Sequence, residues 1–291
     1  MELRALFGRE PGSLAYIESP LMIEPDRSPF ISMRMDVLFS SPTLEGLVAQ
    51  AAGLMLEGST FKVLYLKNGL KRSYEEQRQL ERLVGANIRG TADMRCPDMT
   101  FGLLSHERGW MLGLCVPADH AWRQRIHKPQ NYSTGLPVAT ARALVNIAVP
   151  NPKGIKAIDP CCGMGNVMIE ALSMDIDIVG MDLNPLAVRG ARANLAHFGY
   201  ENPGLVSIGD MNRVTGHFDA AILDMPYNLC SVLPGEEKRA MLASLRRFSE
   251  TSVIVSTEAL ESDLLAEGFQ ILDYGQAAKD SFVRNIWVCR S

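Results

Sequence analysis

Residues 155–165 read Ile155-Lys156-Ala157-Ile158-Asp159-Pro160-Cys161-Cys162-Gly163-Met164-Gly165. A short apolar run ends in an acid, a proline breaks it, and two glycines one residue apart precede a helix-forming stretch that opens at Asn166. Glycine permits a sharp turn and lets a ligand come close to the backbone. The helix that follows presents unpaired N–H groups and the positive end of its dipole. In nucleotide-binding sheets that end meets a phosphate. Here Asp159 stands just before the glycines, where it would repel a pyrophosphate and suits a cation.

The chain on both sides of this block alternates regularly. Downstream, strand-like runs at Asp177–Leu183, Gly204–Ile208, Phe218–Asp224 and Ser252–Ser256 are separated by helical patterns at Asn166–Ser173, Pro185–Phe198 and Glu236–Phe248. Pro185 sits in the first turn of its helix, where a missing N–H is harmless. Leu260–Glu267 is helical and stops at Gly268; Phe269–Tyr274 and Asn285–Cys289 then follow as strands with no helix between them. Alternation of this kind predicts a parallel doubly wound sheet, and the final pair predicts an antiparallel addition. The expected fold is α/β: a Rossmann-like, seven-stranded sheet with an antiparallel last strand, preceded by a smaller α/β domain.

Upstream, strands are expected at Leu3–Phe7, Met33–Phe39 and Phe61–Leu66, and helices at Thr43–Leu56 and Tyr74–Val84. Phe101–Leu104 and Trp110–Val116 read as a hairpin closed by His106-Glu107-Arg108-Gly109. The expected division is an N-terminal domain over 1–122, a polar basic linker over 123–136 and a second domain over 137–291, with Pro137–Val149 as its entry helix.

Composition narrows the class. The chain has 291 residues, 47% hydrophobic and 21% charged, and a net charge of −4. No segment approaches the ~18–20 apolar residues of a membrane helix, and Met1–Glu10 carries charges throughout, so a cytoplasmic protein without a membrane role is expected. Residues 1–130 carry 16 Lys/Arg against 15 Asp/Glu, and residues 131–291 carry 13 against 18, which makes the front part the better candidate for a polyanion contact. The six cysteines form no CxxC pair and have no histidine at zinc spacing, so no metal is expected and the thiols read as buried and reduced.

Two more strand ends carry acids. Gly180-Met181-Asp182 closes the second strand, and Asp182, 17 residues beyond Gly165, is placed to hydrogen-bond a ribose diol. Gly209-Asp210-Met211 closes the third, where Asp210 can accept from an adenine amine. With Asp159, Pro160, Cys161, Gly163 and Gly165, and with Leu183 and Met211 beside the two later acids, these residues describe a pocket for S-adenosylmethionine, whose sulfonium and ammonium match the acid that precedes the glycines.

The fourth strand ends in Asp224-Met225-Pro226-Tyr227. In a doubly wound sheet this strand lies next to the first, beside the cofactor. An exocyclic amine on a nucleobase is a poor nucleophile because its lone pair is delocalised into the ring, and acceptors at its two protons favour the shape that frees the pair. Asp224 supplies one acceptor and the Met225 carbonyl the other. Pro226 holds Met225 extended, and Tyr227 stacks on the base, a contact worth ~1–3 kcal/mol. These four residues form the expected catalytic set.

The run Lys128-Pro129, Leu136-Pro137, Ala141-Arg142-Ala143-Leu144-Val145-Asn146, the Asp159–Gly165 block, Gly190-Ala191-Arg192-Ala193-Asn194-Leu195 and Asp224–Tyr227 together resemble the Trm11-type RNA methyltransferases of the THUMP class. The resemblance covers residues 120–291 well and 1–120 weakly. It implies N2-methylation of guanine in tRNA, the site roles given above, and a front domain that grips the RNA, with Arg123, Arg125 and Lys128 touching phosphate. Two positions depart from the family pattern: Met225 replaces the first proline of Asp-Pro-Pro-Tyr, and Cys161 replaces a phenylalanine. Ribosomal RNA guanine, DNA adenine-N6 or cytosine-N4, and small-molecule methylation stand as alternatives, and the sequence leaves the oligomeric state open.

Overall fold

The computed structural model describes residues 1–12, 15–132, 135–226, 234–279 and 282–291. The chain divides into two compact units. One is built from Met1–Arg9, Arg27–Pro29 and His120–Ser291, the other from Glu10–Asp26 and Phe30–Asp119.

α1 (Glu2–Phe7) opens the chain in the larger unit. The smaller unit holds β1 (Met33–Ser41), α2 (Leu44–Ala51), β2 (Met55–Tyr65), α3 (Tyr74–Gly85), β3 (Arg89–Ala92), β4 (Met99–His106) and β5 (Gly109–Pro117). Its strands form one sheet in the order β1-β5-β4-β2-β3. The hairpin read from the sequence closes at the expected turn, with His106 paired to Gly109. Thr43 accepts a hydrogen bond from the Gly46 N–H at the start of α2, and Ser73 with Glu76 forms a reciprocal capping box at the start of α3, a pattern that satisfies helix donors lacking an internal partner. A core of Leu47, Ala51, Phe61, Val84, Phe101, Leu103 and Leu112 holds both helices on the sheet.

The larger unit continues with α4 (Val138–Ala148), β6 (Lys156–Asp159), α5 (Asn166–Leu172), β7 (Asp177–Asp182), α6 (Pro185–His197), β8 (Val206–Ile208), β9 (Phe218–Asp224), α7 (Gly235–Phe248), β10 (Ser249–Ser256), α8 (Glu261–Ala266), β11 (Gln270–Lys279) and β12 (Phe282–Arg290). The sheet order is β11-β12-β10-β9-β6-β7-β8. β6 to β10 are mutually parallel, and β12 runs antiparallel to both β10 and β11. This is the expected seven-stranded sheet with its antiparallel strand. Both faces are covered: Ile222, Val253 and Val255 pack with residues of α4 and α5, while Leu223 and Ile254 pack with Leu242, Leu245 and Phe248 of α7. Burial on both faces explains why the central strands are continuous apolar runs.

Three expectations change. Leu3–Phe7 is not a strand but part of α1, which ends on Gly8 in the left-handed conformation, φ 67°. Its charged residues are what the strand reading overlooked. The Arg4 Nη2 donates to both carboxylate oxygens of Asp273 on β11, at 3.0 and 2.9 Å, and Glu2 accepts from Ser28 Oγ at 2.8 Å and Asn146 Nδ2 at 2.6 Å. The helix expected over Thr43–Leu56 ends at Ala51, because Gly53 interrupts it and β2 already begins at Met55. The strand β3 went unread because all four of its residues are exposed, which removes the apolar alternation that marks a half-buried strand. Among the described residues, no helix is long and apolar enough to cross a membrane.

One buried ion cluster is a point of weakness. The Glu170 carboxylate on α5, 1% exposed, accepts from Arg125 Nε at 2.6 Å and Arg142 Nη1 at 2.8 Å. Glu170→Ala leaves buried guanidinium charge uncompensated, and a loss of ~3–5 kcal/mol is expected by denaturant unfolding.

Candidate active site

The C-terminal ends of the parallel strands converge on a cleft of about 700 Å³, within the ~300–1,000 Å³ of ligand sites. It opens at β6 and β9, where the order of connection reverses, the crevice that open α/β sheets use for ligands. Asp159, Pro160, Cys161, Gly163, Asp182, Leu183, Asp210, Met211, Asp224, Met225 and Pro226 all line it. Ten residues from four strand ends that the sequence singled out, and Gly163 between them, are therefore brought to one wall. Gly165 lies behind that wall: its φ is 80° and a Cβ there would come within 3.3 Å of the Ala191 side chain. Gly163, φ 50°, has open space where a Cβ would point. Tyr227 lies outside the described residues.

Each acid is held differently. Asp159 is 3% exposed and takes the Cys161 backbone N–H. Asp182 braces the glycine turn, its Oδ2 accepting from Gly163 N–H at 2.9 Å and its Oδ1 from Asn184 N–H at 2.8 Å. Asp210 caps the turn at Met211–Arg213 through Asn212 N–H, 2.9 Å. A carboxylate oxygen has two acceptor sites, so Asp182 and Asp210 keep capacity for a ligand while serving the fold. Asp224 is the exception: among the described residues its buried Oδ1 has no hydrogen-bond partner. Met225, next to it, is anchored by donating its N–H to the Val255 carbonyl at 2.8 Å, with its side chain in the core.

Charge accumulates in this cleft. Burial, then the carboxylates of Asp224 and Asp182, push the Asp159 carboxyl well above its ordinary range. Burial pushes Asp224 up to about 7, against a lowering by Arg284. Cys161 and Cys162 are pushed far up by burial and by the surrounding acids, so both are inert thiols. An acid-lined cleft with an unpaired carboxylate oxygen suits a cationic ligand that carries hydroxyl and amine donors, and the sulfonium, ammonium, ribose and adenine of S-adenosylmethionine supply those groups.

The segment expected as a linker is part of this wall. Ala121–Ile126 forms a short 3-10 helix, and Lys128, Tyr132, Gly135 and Leu136 line the cleft. The fastening is Asn194 of α6, fully buried. Its Oδ1 accepts from Gln130 N–H at 2.8 Å, and its Nδ2 donates to the carbonyls of Gln130 and Met164, both at 2.9 Å. One amide thus ties the segment to the glycine turn. Asn166 Nδ2 also donates to the Leu136 carbonyl, 2.6 Å. Arg125 is turned inward to Glu170, so its charge is matched within the fold. Arg123 is exposed, its guanidinium over the Trp122 ring at 5.5 Å, and burial lowers the Lys128 ammonium. Glu237 and Met241 of α7 also line the cleft; neither lies in a motif, and an amphipathic helix pattern gives no sign that its first turn faces a ligand.

This strand order with acids at successive strand tips defines the Rossmann-like architecture of class I methyltransferases. Residues 125–245 match the family model UPF0020: RMKL-like, methyltransferase domain, and the resemblance read from the motifs holds over that stretch. The chain is 30% identical over 132 residues to a tRNA (guanine(10)-N2)-dimethyltransferase of Methanothermobacter thermautotrophicus, covering 43% of this chain and 38% of the relative. It is 26% identical over 171 residues to the protein of the same name from Pyrococcus abyssi, covering 55% and 50%. The chain thus spans half or less of the length of these curated relatives. The crystal structure of TrmN from Thermus thermophilus superposes with a TM-score of 0.50 at 17% identity, covering 100% of this chain and 94% of that one, which shows a shared fold.

Two outcomes are expected. Asn194→Ala frees the pocket wall and leaves buried backbone groups unsatisfied, lowering stability by ~1–3 kcal/mol and weakening cofactor binding by calorimetry. For Asp224, whose ordinary value is 3.8 and whose value here is about 7, the folded chain holds a proton that the unfolded chain has released between those pH values. Stability from this group therefore falls as pH rises through that window. Asp224→Asn removes the effect, so the variant gains on wild type with rising pH, by on the order of 2–4 kcal/mol at the upper end.

Proposed function

We propose that this protein transfers a methyl group from S-adenosylmethionine to the exocyclic N2 amine of a guanine in tRNA. The observation that carries the reading is the buried Oδ1 of Asp224 on the wall of the acid-lined cleft, which has no hydrogen-bond partner among the described residues. The family model over residues 125–245 and the two tRNA guanine-N2 relatives support it.

When bound, S-adenosylmethionine supplies an electrophilic methyl group. Asp159 and the Gly163 turn hold its methionine end, Asp182 the ribose, Asp210 and the flanking Leu183 and Met211 the adenine. Asp224 Oδ1 accepts one N–H of the base amine and the Met225 carbonyl the other. With the cofactor bound, the nitrogen lone pair would face its methyl group, the S–CH3 bond would break with S-adenosylhomocysteine as the leaving group, and Asp224 would take the proton that the alkylated nitrogen gives up. Rate comes from positioning and fixed charge, with no covalent intermediate on the protein. Pro226 and Tyr227 are the platform for the base. A base within a duplex cannot reach this cleft, so the target is unpaired or flipped out.

The smaller unit, which makes up most of the stretch read as domain 1–122, is the RNA-gripping part in this reading. It exposes Lys67, Lys71, Arg89, Arg95 and Arg108, and the larger unit exposes Arg123 and carries Lys128 on its cleft. Binding is then salt-dependent, with a slope that Arg123→Ala reduces by about one.

Labelled methyl transfer to tRNA and rRNA from cells lacking the gene, followed by nucleoside mass analysis, tests the proposal. N2-methylguanosine in tRNA is the expected product; methyl on rRNA, DNA or a small molecule, or on none, overturns it. Asp224→Ala is expected to lower transfer by about 10²–10³-fold while cofactor affinity stays within a few-fold. In wild type, kcat/KM rises with pH toward about 7 as Asp224 loses its proton.

A further inference from the structure

β9, β10 and β12 lie side by side, and their register sets Asp224, Val255 and Ile286 in one row: Asp224 pairs with Val255, and Val255 with Ile286. Arg284 lies two residues from Ile286 and therefore on the same face of β12. Because β12 runs against β10, Arg284 stands beyond the end of that row, toward the C-terminal ends of the parallel strands. It is 6% exposed, an arginine carried into the interior on the last strand, and its charge acts on the Asp224 carboxylate.

The cleft that Asp224 lines is otherwise mostly acidic: Asp159 comes from β6, Asp182 from β7, Asp210 from the end of β8, the Cys161 thiol from the glycine block and Glu237 from α7. Lys128, from the segment before α4, is the cation among the described lining residues; Arg284 acts on Asp224 from outside that lining. A buried carboxyl keeps its proton unless a cation stands near. A protonated Asp224 would offer a donor where the amine needs an acceptor.

We propose that Arg284 is a positioning residue whose charge favours the ionised form of Asp224, so that Oδ1 meets the base amine as an acceptor. The proposal rests on the reading of Asp224 given above, and it assigns the extra length of the terminal hairpin a task. β12 pairs with β10 as far as Asn285, opposite Ser256, and Arg284 is the first residue past that pairing.

The test is a double-mutant cycle read by unfolding free energy from pH 5 to 9, with no substrate present. In wild type the Asp224-dependent fall in stability levels off above about 7. In Arg284→Met it is expected to continue about one pH unit further, and Arg284→Lys keeps the wild-type profile. In an Asp224→Asn background Arg284→Met is expected to leave the pH profile unchanged, which separates Asp224 from Asp159 and Glu2, both of which also titrate high. In methyl transfer the acid limb of kcat/KM moves up by the same unit, about a fivefold loss at pH 7 that vanishes at pH 9. If Arg284→Met alone does not fold, the Arg284→Met, Asp224→Asn double variant is expected to fold, since the uncompensated charge is gone. An unshifted titration in Arg284→Met, a shift that persists without Asp224, or a double variant that also fails to fold overturns the proposal. If the cycle holds but wild type methylates no RNA, the functional reading falls and the Arg284–Asp224 coupling stands.

Discussion

Like charges brought close together in a buried place set the terms for this molecule. Four aspartates at the ends of β6, β7, β8 and β9 face one cleft, and burial raises the cost of keeping Asp159 and Asp224 ionised. The fold manages this charge in three ways. Backbone N–H groups of the turns hold Asp159, Asp182 and Asp210. The carboxyls of Asp159 and Asp224 are shifted toward their protonated forms. A cation is carried in at Arg284. What remains is a cavity whose field favours a positively charged guest, and the binding of such a guest relieves the repulsion it exploits.

The second constraint is mechanical. A pocket for two flat ligands needs walls on several sides, and a parallel sheet supplies only its floor. Here the segment before α4 forms one side, fixed by Asn194, Asn166 and Glu170 through side-chain hydrogen bonds to backbone and to Arg125. α7 supplies another, with Glu237 and Met241. Polar side chains aimed at backbone groups fix direction as well as distance, which apolar contact alone does not.

Much of the floor was legible in the sequence, since strand ends are marked by where an apolar run stops and an acid or glycine begins. The periodic helices were equally plain. The walls were not. Residues 123–136 look like solvated chain because, Arg125 apart, the tethers described above hold backbone atoms, and Asn194, although part of the quoted Gly190–Leu195 run, declares no partner. α1 was misread because six residues with Leu3, Leu6 and Phe7 fit a strand or a helix alike until Glu2 and Arg4 are given somewhere to go. β3 has no buried residue to announce it.

The docking of α1 also orders events in time. Arg4 meets Asp273 across a separation of 269 residues, and Glu2 meets Asn146 across 144. At a synthesis rate of about 5–20 residues per second, the first helix leaves the ribosome on the order of ten seconds to a minute before β11 exists to receive it. Residues 10–119, whose sheet pairings all lie among themselves, are complete well before that. An early helix is thus among the pieces placed late, waiting for a strand made some 269 residues after it.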